Sequence, residues 1–428
     1  MRSIGLVGVA IAALGAAACG SEDPAGTTPP GVVPPPATVT SYYRDAKPIV
    51  DAKCARCHVA DGIAPFPLTT YEEVALYADI IKQVVNDRTM PPWNAADGCA
   101  DYLDDRSLEE AHIASLTAWV DEGAPQGDPK SVGDAIQTGP ITALSRVDLN
   151  LPMQAEYTAQ SVPDDYRCFV MDWPEAATTH VTGFRANPGN PQVVHHVIAF
   201  LATPGDVATA DALDAAEEGP GYTCFGGPGF QGNWLGAWAP GSQGSDFPAG
   251  TGITVEPGSK VVVQVHYNSL TAGAQPDLTT LDFKLDATVA KEAVIQPWAN
   301  PQWLQGDTMI IPAMGRDVMH SWIIDPTPYI SSDKPFTIYS AGLHMHTLGT
   351  SALFSIQRKG GASECMLDIP RWDFHWQGSY GFVETKTFNP GDKLYLECHW
   401  DNTTANDVTW GEGTTDEMCL GSFYYTVD

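Results

Sequence analysis

Positive charge is what this chain has least of: 22 Lys and Arg stand against 52 Asp and Glu in 428 residues, a formal net charge of -30. Phosphate binding needs clustered Lys and Arg, so charge-driven attachment to DNA, RNA or an anionic bilayer face is excluded. Beyond residue 14 the sequence also lacks any apolar run long enough to cross a bilayer as a helix. Core-forming residues are not lacking. A hydrophobic content of 43% excludes intrinsic disorder for most of the chain, and the length allows roughly two to four domains of about 100 to 200 residues. The nine cysteines mean disulfides if the chain is exported, and metal or catalytic thiols if it is not.

The first residues decide between these. Arg2 supplies a small positive region, and residues 4–14 form an apolar stretch too short for a mature membrane helix, which reads as a signal peptide over residues 1–18. Gly15-Ala16-Ala17-Ala18-Cys19 resembles a bacterial lipobox, with Cys19 as the lipidated mature N-terminus, although Ala16 stands where that pattern prefers Leu. Cleavage by the ordinary signal peptidase is the alternative. Residues 19–40 then form a Pro/Gly/Thr tether of the kind that lifts a domain off a membrane, so the chain is expected to be a periplasmic or cell-surface lipoprotein of a bacterium.

Cys54-Ala55-Arg56-Cys57-His58 is C-x-x-C-H, the attachment signal of c-type haem. Two thiols add to the porphyrin vinyls and the adjacent imidazole ligates iron. A disulfide or half a zinc site is the bland reading, but a second ligand pair for zinc does not follow nearby. Thr70 with Glu73 predicts a capping box, opening a helix whose Val74, Tyr77, Ile81 and Val84 share one face. Ser107 with Glu110 predicts another, with Ile113, Leu116, Trp119 and Val120 inward and a stop at Gly123. Between them Met90 precedes Pro91 and Pro92, which forbid continued helix and offer a thioether as sixth ligand opposite His58. A buried Met otherwise fills a core. Residues 41–128 therefore resemble a small all-α cytochrome c of class I, followed by a linker over 129–144.

Beyond the linker, short apolar alternations are broken by Gly and Pro, an all-β pattern. Val261, Val263, Val265 and Tyr267 alternate with Val262, Gln264 and His266, and residues 336–339, 352–356 and 394–396 look similar. Some 300 residues of this texture predict two packed sandwiches, over 145–290 and 291–428. Histidine placement is the informative feature. His344 and His346 flank Met345, and on a strand they share a face and can chelate one metal. Adjacent His195 and His196 would point to opposite faces, so joint binding needs a bulge or a strand end. His112, His180, His320, His375 and His399 read as satisfied polar residues.

His195-His196 with the apolar run 197–200, Ala237-Trp238-Ala239-Pro240-Gly241, Gln264-Val265-His266-Tyr267, Leu343-His344-Met345-His346-Thr347-Leu348-Gly349 and Asp416-Glu417-Met418-Cys419 occur in that order. The set resembles the copper type II, ascorbate-dependent monooxygenases, over roughly residues 145–428. The resemblance implies two jelly-roll-like β domains, each carrying one copper across a solvent-filled cleft. By position, His195, His196 and His266 would hold an electron-transfer copper, and His344, His346 and Met418 the oxygen-activating copper. Imidazole suits both copper oxidation states and a soft thioether favours Cu(I). Family position also implies Cys168–Cys224 and Cys398–Cys419 disulfides; Cys99 and Cys365 remain, and a bridge between them, left open at this point, would tie the haem domain to the catalytic domain.

The implied activity is hydroxylation of an aliphatic or benzylic C–H bond of a small organic substrate with O2. Electrons would come from the fused haem, an ascorbate-like reductant or a redox protein. Gly342 stands where peptide-amidating relatives carry an arginine that grips a carboxylate, and Ser422 replaces a tyrosine, so a peptidylglycine substrate is not expected. The alternative is a noncatalytic electron-transfer or copper-carrying lipoprotein. A cupredoxin fusion fits less well, because Cys398 directly adjoins His399 while Met418 lies far beyond.

Overall fold

The computed structural model describes residues 39–428, apart from 61–63, 139–141, 241, 271 and 306–307. The expected signal peptide, the lipidation site Cys19 and nearly all of the tether lie outside the described residues. Among the described residues no helix is long and apolar enough to cross a membrane.

Helices come first. Lys47–Lys53, opened by Pro48 in its first turn, leads directly into Cys54. Thr70 and Glu73 form the expected capping box: the Glu73 amide donates to Thr70 Oγ1, and the Thr70 amide donates to Glu73 Oε2. The helix it opens is broken at Tyr77 into Tyr71–Leu76 and Ala78–Asn86. That break shifts the inward face, so Val74, Ile81 and Val85 are buried rather than Val84. The second expected box does not form. The Ser107 amide donates to Asp105 Oδ1, and the last helix starts at Glu110 with Glu109 as its cap. It still buries Ile113, Leu116 and Trp119 and ends before Gly123 at φ +86°. Each such side chain contributes about 1.5–3 kcal/mol when fully buried, and together with Tyr42, Val50 and Leu68 they form one helical core.

The rest is β structure. One antiparallel run of strands passes through both sandwiches in the spatial order Tyr222–Thr223, Asp164–Asp172, Lys260–Asn268, Val194–Ala202, Asn233–Trp238, Lys291–Trp298, Leu420–Val427, Phe336–His344, Ser379–Phe388. Lys291–Trp298 is the seam. It pairs along its length with Leu420–Val427 and touches Asn233–Trp238 at Ile295. The two expected β domains thus share a continuous sheet. A second layer of Leu149–Pro152, Thr280–Asp286, Thr179–Asn187 and Thr251–Val255 closes the first sandwich, with Phe184, Leu281 and Phe283 packed on Val197, Val263 and Val265. Val318–Ile324, Lys393–Trp400, Gly349–Gln357 and Ser363–Ile369 close the second over Phe336, Phe354 and Phe423.

Strand Lys260–Asn268 alternates as expected, but its second face is not open to water: Val262, Gln264 and His266 are buried as well. Helix Val207–Ala215 and the Cys168–Cys224 disulfide cover part of that face, with Ala210, Phe200 and Tyr222. The two disulfides implied by family position, Cys168–Cys224 and Cys398–Cys419, are present, and Cys99 is bonded to Cys365, a pairing the sequence left open.

Residues 93–103, expected within the helical unit, belong to the second sandwich. The Ala96 amide donates to Asp368 O, the Leu103 amide to Gly381 O, and the Val383 amide to Asp101 O. Tyr102, 5% exposed, donates its hydroxyl to Met366 O and packs in the second core. This segment joins the edge strands Ser363–Ile369 and Ser379–Phe388 of facing sheets, removing two exposed edges at once.

Candidate metal centre

His196 lies opposite His266 on the neighbouring strand, yet the next pair is Val194 with Tyr267. The extra residue, His195, is a β-bulge, and it turns adjacent imidazoles toward one point as the sequence required. His195 Nδ1 lies 3.3 Å and His266 Nδ1 3.4 Å from His196 Nδ1. Metal–nitrogen bonds of about 2.0–2.1 Å in a tetrahedral shell set neighbouring nitrogens about 3.3–3.4 Å apart. Among the described residues this is the one His/Cys/Asp/Glu group whose donor atoms converge enough to hold an ion.

The back of the cluster explains its orientation. His266 Nε2 donates to Asp164 Oδ1 at 2.9 Å, which keeps the proton on Nε2 and turns the Nδ1 lone pair inward. Tyr166 stacks on the His266 ring at 4.0 Å and donates its hydroxyl to Glu412 O. Burial alone would raise the Asp164 carboxyl, but hydrogen bonds from His266 and Thr414 overcome it and hold the group well below the usual carboxylate range. His195 Nε2 is buried without a hydrogen-bond partner, and Nδ1 is the atom of this ring that faces His196 Nδ1.

The second pair presents the opposite nitrogens. His344 ends its strand and donates Nδ1–H to Gln377 Oε1; His346 donates Nδ1–H to Asp416 O at 3.0 Å. Both Nε2 atoms are left for a ligand. Leu420, two residues after Met418, pairs with His344, and the Cys398–Cys419 bridge anchors the residue beside Met418. Glu417, fully buried, organises this corner by accepting from the His346 amide at 2.9 Å, the Leu348 amide at 2.6 Å and Trp400 Nε1 at 2.8 Å. Burial is the largest effect on its carboxyl and raises it to about 7 against those donors.

Among the described residues the two sites abut rather than face each other across an open cleft: the His196 and His344 rings lie 6.1 Å apart, and the loop over residues 370–378 contacts both clusters. Phe374 stacks on His195 at 4.4 Å and stands 6.1 Å from His346, while Trp372 Nε1 donates to His346 O at 3.0 Å. On the other side Asp164 receives Thr414 Oγ1 at 2.6 Å and the Thr414 amide at 3.1 Å, tying the first sandwich to the loop that carries Met418. Burial is the main cause that lowers His195 to about 2, His346 to about 3 and His344 to about 4, with His196 also well below its ordinary value. All are neutral near pH 7, the form that binds metals.

Sequence reasoning missed Asp164, Phe374, Gln377 and Glu417. Glu417 stood inside the quoted Asp-Glu-Met-Cys run, and Trp372-Asp373-Phe374-His375-Trp376 is an aromatic cluster that could have marked the covering loop. The histidines set aside remain outside the clusters: His320 Nε2 donates to Ile310 O, His399 pairs with Asp317 and Glu397, His375 is exposed beside Asp373, and His112 and His180 sit in a helix and a strand elsewhere. Gly342 and Ser422 are cross-strand partners, and a Cβ at Gly342 would come 2.7 Å from Ser422 Oγ. The two departures from the peptide-amidating pattern therefore sit opposite each other on neighbouring strands.

The N-terminal unit has its own chemistry. Cys54 and Cys57 are free thiols, and His58 Nδ1 donates to Phe66 O at 3.0 Å, leaving Nε2 free. Phe66 packs its ring on His58 and stacks on Tyr77.

Comparison with known proteins bears on the β region. The family model for the copper type II ascorbate-dependent monooxygenase N-terminal domain matches residues 152–273, and that for its C-terminal domain matches residues 304–427. The chain belongs to this family. Tyramine beta-hydroxylase of Caenorhabditis briggsae is 24% identical over 306 residues, 67% of this chain and 50% of that protein. DBH-like monooxygenase protein 1 is 26% identical in Gallus gallus, over 44% of this chain and 32% of that one, and 23% identical in Homo sapiens, over 76% and 56%. The chain thus spans between a third and just over half of the length of these relatives. Among solved structures, PNGase F aligns over 65% of this chain and 96% of its own at 9% identity, with a TM-score of 0.30, too low to carry an argument.

Proposed function

We propose that the chain is a copper-dependent monooxygenase that hydroxylates a C–H bond of a small organic substrate with O2, and that its N-terminal unit carries a covalent haem c. The observation that carries the reading is the convergence of three Nδ1 atoms, backed by Asp164, against a second pair of histidines offering Nε2. Copper, when bound, supplies one-electron redox chemistry and the activation of O2.

The chain's own residues do the rest. His195, His196 and His266 hold the electron-transfer ion, and Asp164 keeps His266 in the correct tautomer. His344, His346 and Met418 hold the oxygen-activating ion, with Gln377 and Asp416 O fixing the ring orientations. Residues 370–378 exclude water. No arginine is available at 342 to bind a carboxylate.

For the haem, the two free thiols and the tethered His58 form a compatible set, with Met90 as the proposed sixth ligand. Burial pushes the Cys54 thiol up to about 12, which opposes a metal thiolate and suits an uncharged thioether. Its role is to pass electrons from an ascorbate-type reductant or redox protein. The three disulfides fit an extracellular or secreted protein; lipidation at Cys19, in a bacterial envelope, is part of the proposal.

The test combines copper and haem quantitation with oxygen consumption on a panel of benzylic substrates. Met418→Ile is expected to abolish hydroxylated product while leaving the haem spectrum intact. Normal turnover in that variant would remove the site assignment.

A further inference from the structure

We infer that the loop over residues 371–377 is the electron route from the N-terminal unit to the histidine clusters. This rests on the haem reading above. The loop makes two sets of contacts. In the first, Arg371 Nη1 donates to Asp87 O at 2.7 Å and Nη2 donates to Arg88 O, carbonyls three and two residues before Met90. Asn94, four residues after Met90, donates Nδ2 to Trp376 O at 3.0 Å. The backbone on both sides of the Met90 thioether is thus hydrogen-bonded to this loop.

In the second, the loop touches both clusters. Phe374 stacks on His195 at 4.4 Å with 21° between planes, Trp372 donates to His346 O, and Gln377 accepts from His344. Phe374 is the loop's ring-on-ring contact with the three-histidine cluster, so an electron crossing it enters at His195. Seven residues therefore join two redox-competent regions through covalent bonds, hydrogen bonds and one aromatic stack.

The connection is also held rigidly. Arg56, inside the C-x-x-C-H run, pairs with Asp104, Lys53 donates to Asp105 O, and Cys99 is bonded to Cys365. A merely flexible cover over the copper site would not need the haem motif itself tied to the same domain. In the transfer, a ferrous haem gives one electron and becomes ferric, and one Cu(II) becomes Cu(I). No atom or proton moves, and an external one-electron donor restores the ferrous haem before the second transfer.

The experiment uses the full chain, oxidised and loaded with Cu(II), mixed anaerobically in a stopped-flow instrument with a substoichiometric amount of a one-electron donor that reduces the haem first. Haem reoxidation is followed by absorbance and loss of the Cu(II) signal by EPR on frozen samples. In the unmodified protein both signals should fall together, one copper per haem oxidised. Arg371→Ala and Phe374→Leu should each slow this by tenfold or more, with copper content, EPR parameters before mixing and haem spectrum unchanged. Phe374→Tyr, which keeps the ring, should retain the original rate. Unchanged rates in both disrupting variants, or a haem that copper never reoxidises, would overturn the route. Purified protein without haem by the pyridine haemochrome assay would instead remove the reading on which the route rests.

Discussion

Asp164→Asn tests how the three-histidine cluster is held. The carboxylate receives donors only: His266 Nε2 at 2.9 Å, Asn268 Nδ2 at 3.0 Å and Thr414 Oγ1 at 2.6 Å on Oδ1, and the Thr414 amide at 3.1 Å on Oδ2. Asparagine preserves the volume but offers one acceptor atom. Whichever way it turns, an N–H of its amide meets an N–H or O–H of the protein in a buried place. Leaving such a donor unsatisfied costs about 1–3 kcal/mol, and the His266 bond loses its charge assistance. Partners behind metal-ligating histidines typically account for about 10–100-fold in metal affinity, or about 1.4–2.7 kcal/mol. Copper affinity at the His195, His196 and His266 site should fall within that range, measured by competition with a chromogenic copper chelator. Thr414→Val removes one donor and keeps the carboxylate, so its effect should be smaller. An Asp164→Asn protein whose affinity changes by less than about threefold would refute the idea that Asp164 sets the His266 tautomer.

Two further outcomes follow from the same geometry. In the copper-free protein His344 stays neutral in the fold down to about pH 4, but in the unfolded chain it protonates near 6.5. The unfolded chain therefore binds more protons between those values, and the His344 contribution to stability rises with pH across the window. Glu417 and Glu412, raised to about 7 by burial, slope the other way, so the term is read as the difference between urea midpoints of the unmodified and His344→Asn proteins from pH 4.5 to 7; a flat difference would contradict it. Cys365→Ser should lower unfolding stability by about 2–4 kcal/mol and expose residues 93–103 to limited proteolysis. Unchanged stability and an intact segment would mean that its hydrogen bonds and Tyr102 suffice.

Local chemistry made much of the protein legible before its fold was known. Thr70 and Glu73 form their box because both partners lie within one turn, and strands at 336, 352 and 394 follow from period-two alternation. Ser107 and Glu110 have the same spacing, yet Asp105 captures the Ser107 amide and the helix starts later. An equally local acceptor won, and spacing alone carries no ranking between them. The histidine pairs were visible because their residue types and spacing are chemically unusual. That both rings of His195 and His196 face one point depended on a bulge against a strand 70 residues away.

What the sequence determined by itself was the inventory: ligand types, the division of nine cysteines among one proposed anchor, two thiols of the C-x-x-C-H motif and six disulfide candidates, and a helical region followed by β structure. Those properties belong to single residues or short periods. Tertiary structure alone decided that the two histidine clusters abut, that Asp164 reaches Thr414, that residues 93–103 complete the second sandwich, and that Arg371 reaches the carbonyls before Met90. The partners in these contacts are separated by more than a hundred residues, and any carboxylate or carbonyl could in principle have served. Only the packing of two sandwiches on a shared sheet selects which ones meet.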